Sequence, residues 1–248
     1  MFTALSGKSA IFKQMQVIAN NLANMNTAGF KAEKILFEKA LKQESVVEES
    51  LSNEIASPSR LRPDDFVQIR GSMADLSQGA IEVTNNPLDV AVDGDGMFVV
   101  QTPEGERYTR SGEFTLNQDG TLVTQQGYPV MGQGGAITIG SGQAEVHEDG
   151  RIYSNGVEAG QLRISKVAAK DLIREAGQKF SLREGTSAEE VVDVKVRGGA
   201  VETSNVNAVK ELTDMIFASR LFESMEKVNE SNTKMQQARN SVFGKPSA

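Results

Sequence analysis

The side chains that could do chemistry in this chain are few, and their spacing matches no complete catalytic site. The sequence has no cysteine and one histidine. The missing cysteines exclude disulfide bonds, cysteine-ligated zinc sites and thiol catalysis. The single histidine, His147, leaves no Ser-His-Asp triad unless it is itself the base. Because it alternates with Val146 in an apolar-polar pattern, we predict a surface position on a strand.

Two glycine-rich stretches suggest a binding site but have the wrong spacing. Residues 93–96 begin like a calcium loop, yet Met97 occupies the next ligand position, so we predict a tight turn. Gly132, Gly134 and Gly135 lack the final glycine of a dinucleotide-binding loop, and no helix is predicted after them. We therefore expect no metal, no cofactor and no small-molecule substrate.

The remaining catalytic patterns are equally incomplete. Ser224 and Lys227 have the S-x-x-K spacing of penicillin-recognising enzymes, but both companion motifs are missing. Two pairs of adjacent carboxylates are present: Asp64 with Asp65, and Glu189 with Glu190. A glycosidase uses two carboxylates, whereas adjacent residues on a strand point apart. No catalytic residue is predicted, and the alternative from another class is a periplasmic β-domain enzyme acting on cell-wall glycan through these four residues.

The charge of the chain argues against two kinds of partner. The formal net charge is −7, and the basic residues form no patch interleaved with aromatic residues. Such a chain is not built to coat nucleic acid or an anionic membrane. The first residues show no basic segment ahead of an apolar run, and no window is long and apolar enough for a membrane span.

Glycine usage divides the chain into segments. Of the 23 glycines, 16 fall between Gly71 and Gly160, and residues 201–243 contain neither glycine nor proline. Short apolar runs separated by turn residues recur about every ten residues from position 79 to 196, the pattern of an all-β domain. We predict four segments: an N-terminal helix at 1–30, a connector of uncertain structure at 31–78, a central β-domain at 79–200 and a C-terminal helix at 201–248.

The N-terminal segment has the spacing of an amphipathic helix. Ile11, Met15, Ile18, Leu22 and Met25 are separated by alternating steps of four and three residues. The other faces carry uncharged amides between positions 14 and 26, where a solvated helix would carry Lys and Glu. This composition indicates a helix enclosed by other protein.

The C-terminal segment predicts a second, longer helix. An asparagine at position 205 or 207 can cap it, and no helix breaker follows before Phe243. Its apolar residues form two stripes: Val209, Leu212 and Ile216, then Leu221, Met225, Val228, Met235 and Val242. We predict an α+β fold in which the long N- and C-terminal helices pair as a coiled-coil-like layer, with a central all-β domain. The alternative is an ordinary two-helix pack on a β-domain.

Three stretches stand out: residues 18–31, residues 88–98 together with 108–114, and residues 201–207. In this order they resemble the N-terminal signature, the shared β-domain and the C-terminal element of the bacterial flagellar rod and hook protein family. They occur in the family's order and span most of the chain. The resemblance implies a non-enzymatic structural subunit of the basal-body rod, in the periplasm, that self-assembles into a helical tube and transmits torque from motor to hook.

The resemblance also implies partners. These are other copies of the chain, the neighbouring proximal and distal rod proteins, and the flagellar type III export apparatus, which secretes such subunits without a cleaved signal peptide. The length favours a proximal rod subunit over the longer hook proteins, with a distal rod subunit as the alternative. We expect the following residues at subunit interfaces: Ile11, Met15, Ile18, Asn21, Leu22, Asn24, Met25, Phe30, Asn205, Val209, Leu212, Ile216, Leu221, Met225, Val228 and Met235.

Overall fold

Short strands make up most of the regular structure. The computed structural model describes residues 2–40, 66–140, 144–191 and 195–243. Two helices lie in these ranges, α1 (Phe2–Ala23) and α2 (Ala208–Phe243), with a short 3₁₀ helix at Ala169–Asp171. The strands are β1 (Glu33–Ala40), β2 (Phe66–Ala74), β3 (Ile81–Val83), β4 (Val90–Asp93), β5 (Met97–Thr102), β6 (Gly105–Thr109), β7 (Phe114–Leu116), β8 (Leu122–Thr124), β9 (Met131–Gly132), β10 (Gly135–Ala136), β11 (Ala144–Val146), β12 (Arg151–Ser154), β13 (Val157–Gln161), β14 (Ile164–Lys166), β15 (Leu172–Arg174), β16 (Lys179–Leu182), β17 (Glu189–Glu190), β18 (Lys195–Gly198) and β19 (Ala200–Glu202).

The predicted fold class, with two long terminal helices paired as a coiled-coil-like layer, is wrong. The described residues contain helices of 22 and 36 residues and are otherwise mostly strands. The stripe that should form the seam on α2 is exposed, with Val209 at 76%, Leu212 at 49% and Ile216 at 56%. Every described side chain of α2 from Glu226 to Arg239 is also exposed.

Among the described residues, the apolar contact between the helices is instead one small cluster. Ile11, Ile18 and Ala218 are buried in it, and four half-buried side chains pack around them: Met15, Met215, Phe222 and Met225. Ala218 is small enough to let α1 approach α2, so the contact forms on a face of α2 that excludes Val209, Leu212 and Ile216 but includes Met225 of the second predicted stripe. Apolar periodicity identifies an amphipathic helix but does not say which of its faces meets a neighbour.

The chain separates into two compact units. The first takes in the described residues among Met1–Ala19, Ile35–Ser72 and Leu212–Ala248, and the second comprises Asn20–Lys34 and Met73–Glu211. Part of the predicted connector, residues 41–65, lies outside the described residues, and Asp64 and Asp65 lie there with it. Neither described helix combines the length and apolarity needed to span a membrane.

The second unit is built around an antiparallel sheet of six strands. Their order is β15-β16-β6-β5-β14-β17, with the hairpin of β5 and β6 at the centre. Smaller sheets surround it, pairing β3 with β19, β4 with β18, β7 with β8, β9 with β10, and β11 with β12 and β13. These short strands are typical of a region rich in glycine turns.

Two apolar clusters fill this unit, because successive residues of a strand point to opposite faces of the sheet. In the larger cluster Val90 and Val92 of β4 pack with Phe98, whose ring meets that of Phe114 edge-on at 5.0 Å. The smaller cluster includes Val99 of β5 and Phe180 of β16. Adjacent residues of β5 therefore enter different clusters, one on each face of the sheet.

Candidate functional site: a buried ionic junction between two arms

Two segments of the second unit lead into the helices. The N-terminal arm, residues 20–34, contains the last residues of α1, and the C-terminal arm, residues 200–211, contains the first residues of α2. The two arms lie side by side, since the amide N–H of Gly29 donates to the carbonyl oxygen of Glu202 at 2.7 Å. The side chains that join them form the candidate functional site.

The carboxylate of Glu202 lies at the centre of this site and is only 1% exposed. Its Oε1 accepts hydrogen bonds from Nζ of Lys31 at 2.6 Å and from the amide of Gly79 at 2.8 Å. Its Oε2 accepts one from Nε of Arg110 at 2.5 Å. Hydrogen bonds between charged groups are roughly twice as strong as those between neutral groups. One side chain therefore joins both arms to the β-strand region; we call Lys31, Arg110 and Glu202 the ionic junction.

Lys31 is buried to the same degree as its partner, with 2% of the side chain exposed. Besides Glu202 it donates to the carbonyl oxygen of Ser77 at 2.7 Å. Burial lowers the pKa of Lys31 below its usual value, because desolvation penalises the charged form, while the bond to Glu202 opposes that shift. The ammonium group is held by oxygen acceptors in place of water.

Arg110 is held by the turn that resembled a calcium loop. Its Nη2 donates to the carbonyl oxygens of Val92 at 2.8 Å and Gly94 at 2.7 Å, and its Nη1 donates to that of Gly96. Gly94 and Asp95 form a bend between β4 and β5 in place of a metal-binding loop, and the carbonyl oxygens of Val92, Gly94 and Gly96 face a guanidinium from the same chain. The oxygen-rich geometry that suggested a cation site therefore serves an internal cation.

Gly29 allows the N-terminal arm to lie close against the backbone of Arg110 and Ser111. Its φ of +70° lies in the left-handed region that favours glycine. A Cβ at this position would overlap the backbone of Arg110 and Ser111. The N-terminal arm therefore needs glycine here for two independent reasons, its backbone conformation and the space available.

Asn205 ties the arms together beside the ionic junction. Its Oδ1 accepts from the amide of Ala32 at 2.7 Å, and its Nδ2 donates to the carbonyl oxygens of Asp75 at 2.8 Å and Ser77 at 2.9 Å. The amide of Asn205 also donates to the carbonyl of Phe30 at 3.4 Å. A single side chain thus substitutes for several backbone bonds between non-adjacent segments.

Asn21 extends these contacts to the helix ends. It is 2% exposed, and its amide group brackets Glu33, accepting from the backbone N–H at 2.9 Å and donating to the carbonyl at 3.0 Å. It also donates to Oε1 of Glu211 at 3.2 Å. Asn207 caps α2 by accepting from the amide of Lys210 at 3.0 Å. The hydrogen bonds of Asn21 and Asn207 therefore hold the end of α1 and the start of α2 in place.

Arg174 supports the N-terminal arm from β15. Its guanidinium lies between two aromatic rings, 4.7 Å from the centroid of Phe30 and 4.9 Å from that of Phe180. It also donates to the carbonyl oxygen of Lys31. Burial lowers the pKa of Arg174, and the charge of Glu33 opposes this effect.

Comparison with known proteins identifies the family. Three family models match: "Flagella basal body rod protein" at residues 1–31, "Flagellar hook protein FlgE/F/G D1 domain" at 91–154, and "Flagellar basal body rod FlgEFG protein C-terminal" at 197–242. The flagellar basal-body rod protein FlgF of Caulobacter vibrioides is 32% identical over 99% of this chain and 98% of that protein. The chain belongs to the flagellar basal-body rod protein family.

Two further relatives support this assignment at similar identity. FlgF of Rhizobium meliloti is 34% identical over 91% of this chain and 89% of that protein. The rod protein FlgG of Bacillus subtilis is 31% identical over 92% of both chains. The resemblance inferred from the sequence motifs is thereby confirmed.

Each of the three family matches contributes one member of the ionic junction. Lys31 ends the first match, Arg110 lies in the second and Glu202 lies in the third. Sequence reasoning used the stretches around all three residues but did not identify them as a site. The signal that could have found them is that each is a charged residue within a motif shared with the rod family. Arg174 lies outside the three matches and carried no such signal.

The residues predicted at subunit interfaces fall into three groups in this rod-family chain. Several make contacts within the chain: Ile11, Met15, Ile18 and Met225 in the helix cluster, and Asn21, Phe30 and Asn205 at the arms. Leu22 and Asn24 are half-buried. The others are exposed: Met25, Val209, Leu212, Ile216, Leu221, Val228 and Met235.

The residues singled out for possible chemistry are not assembled into a site. Ser224 and Lys227 are exposed on α2, and Glu189 and Glu190 are exposed on β17. His147 is exposed, and its ring lies tilted against that of Tyr153 with the ring centroids 4.5 Å apart. Within the described residues, no group of three or more His, Asp or Glu side chains is placed to hold a metal ion.

Proposed function

We propose that this chain is a structural subunit of the proximal part of the flagellar rod, where it assembles with copies of itself and with neighbouring rod proteins. Membership of the rod family supports this assignment, because the relatives that match almost the whole chain are named rod proteins. The observation that carries the proposal is the pair of arms, where hydrogen bonds and ion pairs hold the ends of both helices in place.

The exposed apolar residues of α2 supply the proposed assembly surface. Six of them are 39–67% exposed: Leu212, Ile216, Phe217, Leu221, Val228 and Met235. Soluble proteins expose single apolar residues routinely, whereas a series along one helix indicates a contact surface. Full burial of such a side chain contributes about 1.5–3 kcal/mol. Covering several of them with a second subunit is therefore strongly favourable.

The arms fit the proposed mechanical role. A subunit that transmits torque needs segments that do not yield under load. Within the second unit, the ionic junction holds the two arms with three side chains that are 1–4% exposed and hydrogen-bonded on several sides. The same proposal includes export by the flagellar type III apparatus, which the family resemblance supports.

A distal rod position is the second candidate. Rod proteins named FlgG match this chain at 31–34% identity, the range also seen for FlgF. A single observation separates the two positions, namely where labelled chain lies along isolated basal bodies. The enzyme alternative finds no support in the family matches, since all three describe flagellar rod or hook proteins.

The assembly surface is tested with the double variant Leu212→Asp/Ile216→Asp. Both positions are exposed, so we expect the purified monomer to keep its circular dichroism spectrum and the variant to be missing from isolated basal bodies. The matched control is Val157→Asp, which places the same charge at a 70% exposed apolar position on β13. The control should be incorporated normally. Wild-type incorporation of the double variant would contradict the proposed surface.

A further inference from the structure

We propose that Glu202, acting through Lys31 and Arg110, is a positioning residue that selects one arrangement of the two arms. Its main contribution is to specificity, and stability is secondary. This inference deepens the proposed function, on which it rests, because the arms lead directly into the helices that carry the assembly surface.

The ionic junction has unequal numbers of positive and negative charges. Two cations share one carboxylate, and all three side chains are 1–4% exposed. Removing charges from water is costly, and a buried ion cluster is often no more stable than an apolar group of the same size. A group of this kind is a poor choice if stability alone is required. Its best-attested use elsewhere is to fix register.

The hydrogen bonds of the Glu202 carboxylate depend on the position of β19. Its two oxygens serve different segments, with Oε1 bonded to Lys31 and Gly79 and Oε2 bonded to Arg110. Glu202 pairs with Ile81 in the β19–β3 register. A slip of one residue would turn the carboxylate to the other face of the strand and leave all three donors without it.

Further hydrogen bonds join the two arms between Glu202 and the helix ends. The same arms are joined by Asn205 to Ala32 and by Asn21 to Glu33 and Glu211. These uncharged bonds have the right geometry only when the arms are in one register. The ionic junction thus selects the register, and the asparagines transmit it to the last turn of α1 and the first turn of α2.

Distance measurements between the helix ends test this inference. The chain has no natural cysteine, so Ala23→Cys and Lys210→Cys allow clean attachment of two nitroxide labels at exposed positions of the second unit. Pulsed electron paramagnetic resonance on the labelled monomer should give one narrow distance distribution. In Glu202→Gln we expect its width to increase at least twofold.

A second variant separates positioning from stability. Lys31→Met/Glu202→Gln removes the lysine charge together with the carboxylate, so its urea midpoint should lie closer to wild type than that of Glu202→Gln. The distance distribution should nevertheless stay broad. Lys31→Arg keeps the charge and should keep the distribution narrow. Ile152→Ala, which removes a fully buried side chain of the large apolar cluster, should lower the midpoint without broadening the distances.

The outcomes distinguish this inference from the proposed function. A narrow distribution in the double variant, or broadening in Ile152→Ala that matches its loss of stability, would overturn the positioning role. Both measurements use the purified monomer and do not depend on assembly. Absence of the wild-type chain from basal bodies would overturn the proposed function alone.

Discussion

Replacing Glu202 by glutamine should destabilise the second unit severely. The substitution keeps the size of the side chain and removes its charge, so Lys31 and Arg110 remain as buried cations facing a neutral amide. Loss of one member of a buried ion pair costs about 3–5 kcal/mol, because the remaining charge has no counter-charge in the protein interior. We expect the free energy of unfolding to fall by that amount.

An exposed ion pair with nearly the same separation between its charged atoms provides the control. Lys166 and Asp95 are separated by 2.7 Å, close to the 2.6 Å between Lys31 and Glu202, but their side chains are 55% and 73% exposed. If distance alone decided the effect, Glu202→Gln and Asp95→Asn would lower the free energy of unfolding by similar amounts. Burial predicts a clear difference, since exposed pairs contribute about 0–1 kcal/mol.

Urea denaturation followed by near-ultraviolet circular dichroism measures both variants. The chain has no tryptophan, and its three tyrosines, Tyr108, Tyr128 and Tyr153, all lie in the second unit, so the signal reports that unit. With a slope of about 2 kcal/mol/M, the expected loss for Glu202→Gln lowers the urea midpoint by about 1.5–2.5 M. A loss below about 1 kcal/mol, or one equal to that of Asp95→Asn, would refute the reasoning from burial.

Three further substitutions test other contacts. A hydrogen bond from Lys34 lowers the pKa of Asp75 to about 2, so the stability it contributes above pH 3.8 is lost as the pH falls towards 2. Asp75→Asn should flatten this part of the stability–pH curve by up to about 1 kcal/mol, and an unchanged curve would contradict the assignment. Gly29→Ala should cost at least about 1–2 kcal/mol in urea unfolding, because its φ is positive and a Cβ meets Ser111; a neutral result would exclude the close approach. Arg174→Met should speed amide exchange in the N-terminal arm by removing about 2 kcal/mol of stacking, and unchanged exchange rates would show that the stacking is dispensable.

Sequence reasoning worked where the information is local or shared with relatives. The motifs around positions 18–31, 88–114 and 201–207 pointed to the rod family, and the family matches confirmed it. A tight turn was predicted at residues 93–96, and the chain bends at Gly94 and Asp95, because glycine and aspartate favour sharp changes of direction regardless of what surrounds them.

The helices show where such reasoning fails. The spacing of Val209, Leu212 and Ile216 predicted a buried seam, and all three side chains are exposed. The residue buried against α1 is Ala218, which no hydrophobicity pattern would select over its larger neighbours. Periodicity describes one helix at a time, whereas packing depends on the shape of the partner surface.

The sequence by itself determined the family, the local turns and the lack of a complete catalytic motif, because each depends on residue types over short spans. The tertiary structure alone decided the ionic junction. Lys31 and Glu202 are 171 positions apart, and Arg110 and Glu202 are 92 apart. A local sequence pattern predicts an exposed position for any charged residue. Its burial becomes favourable only when the fold brings an opposite charge and backbone carbonyls to it.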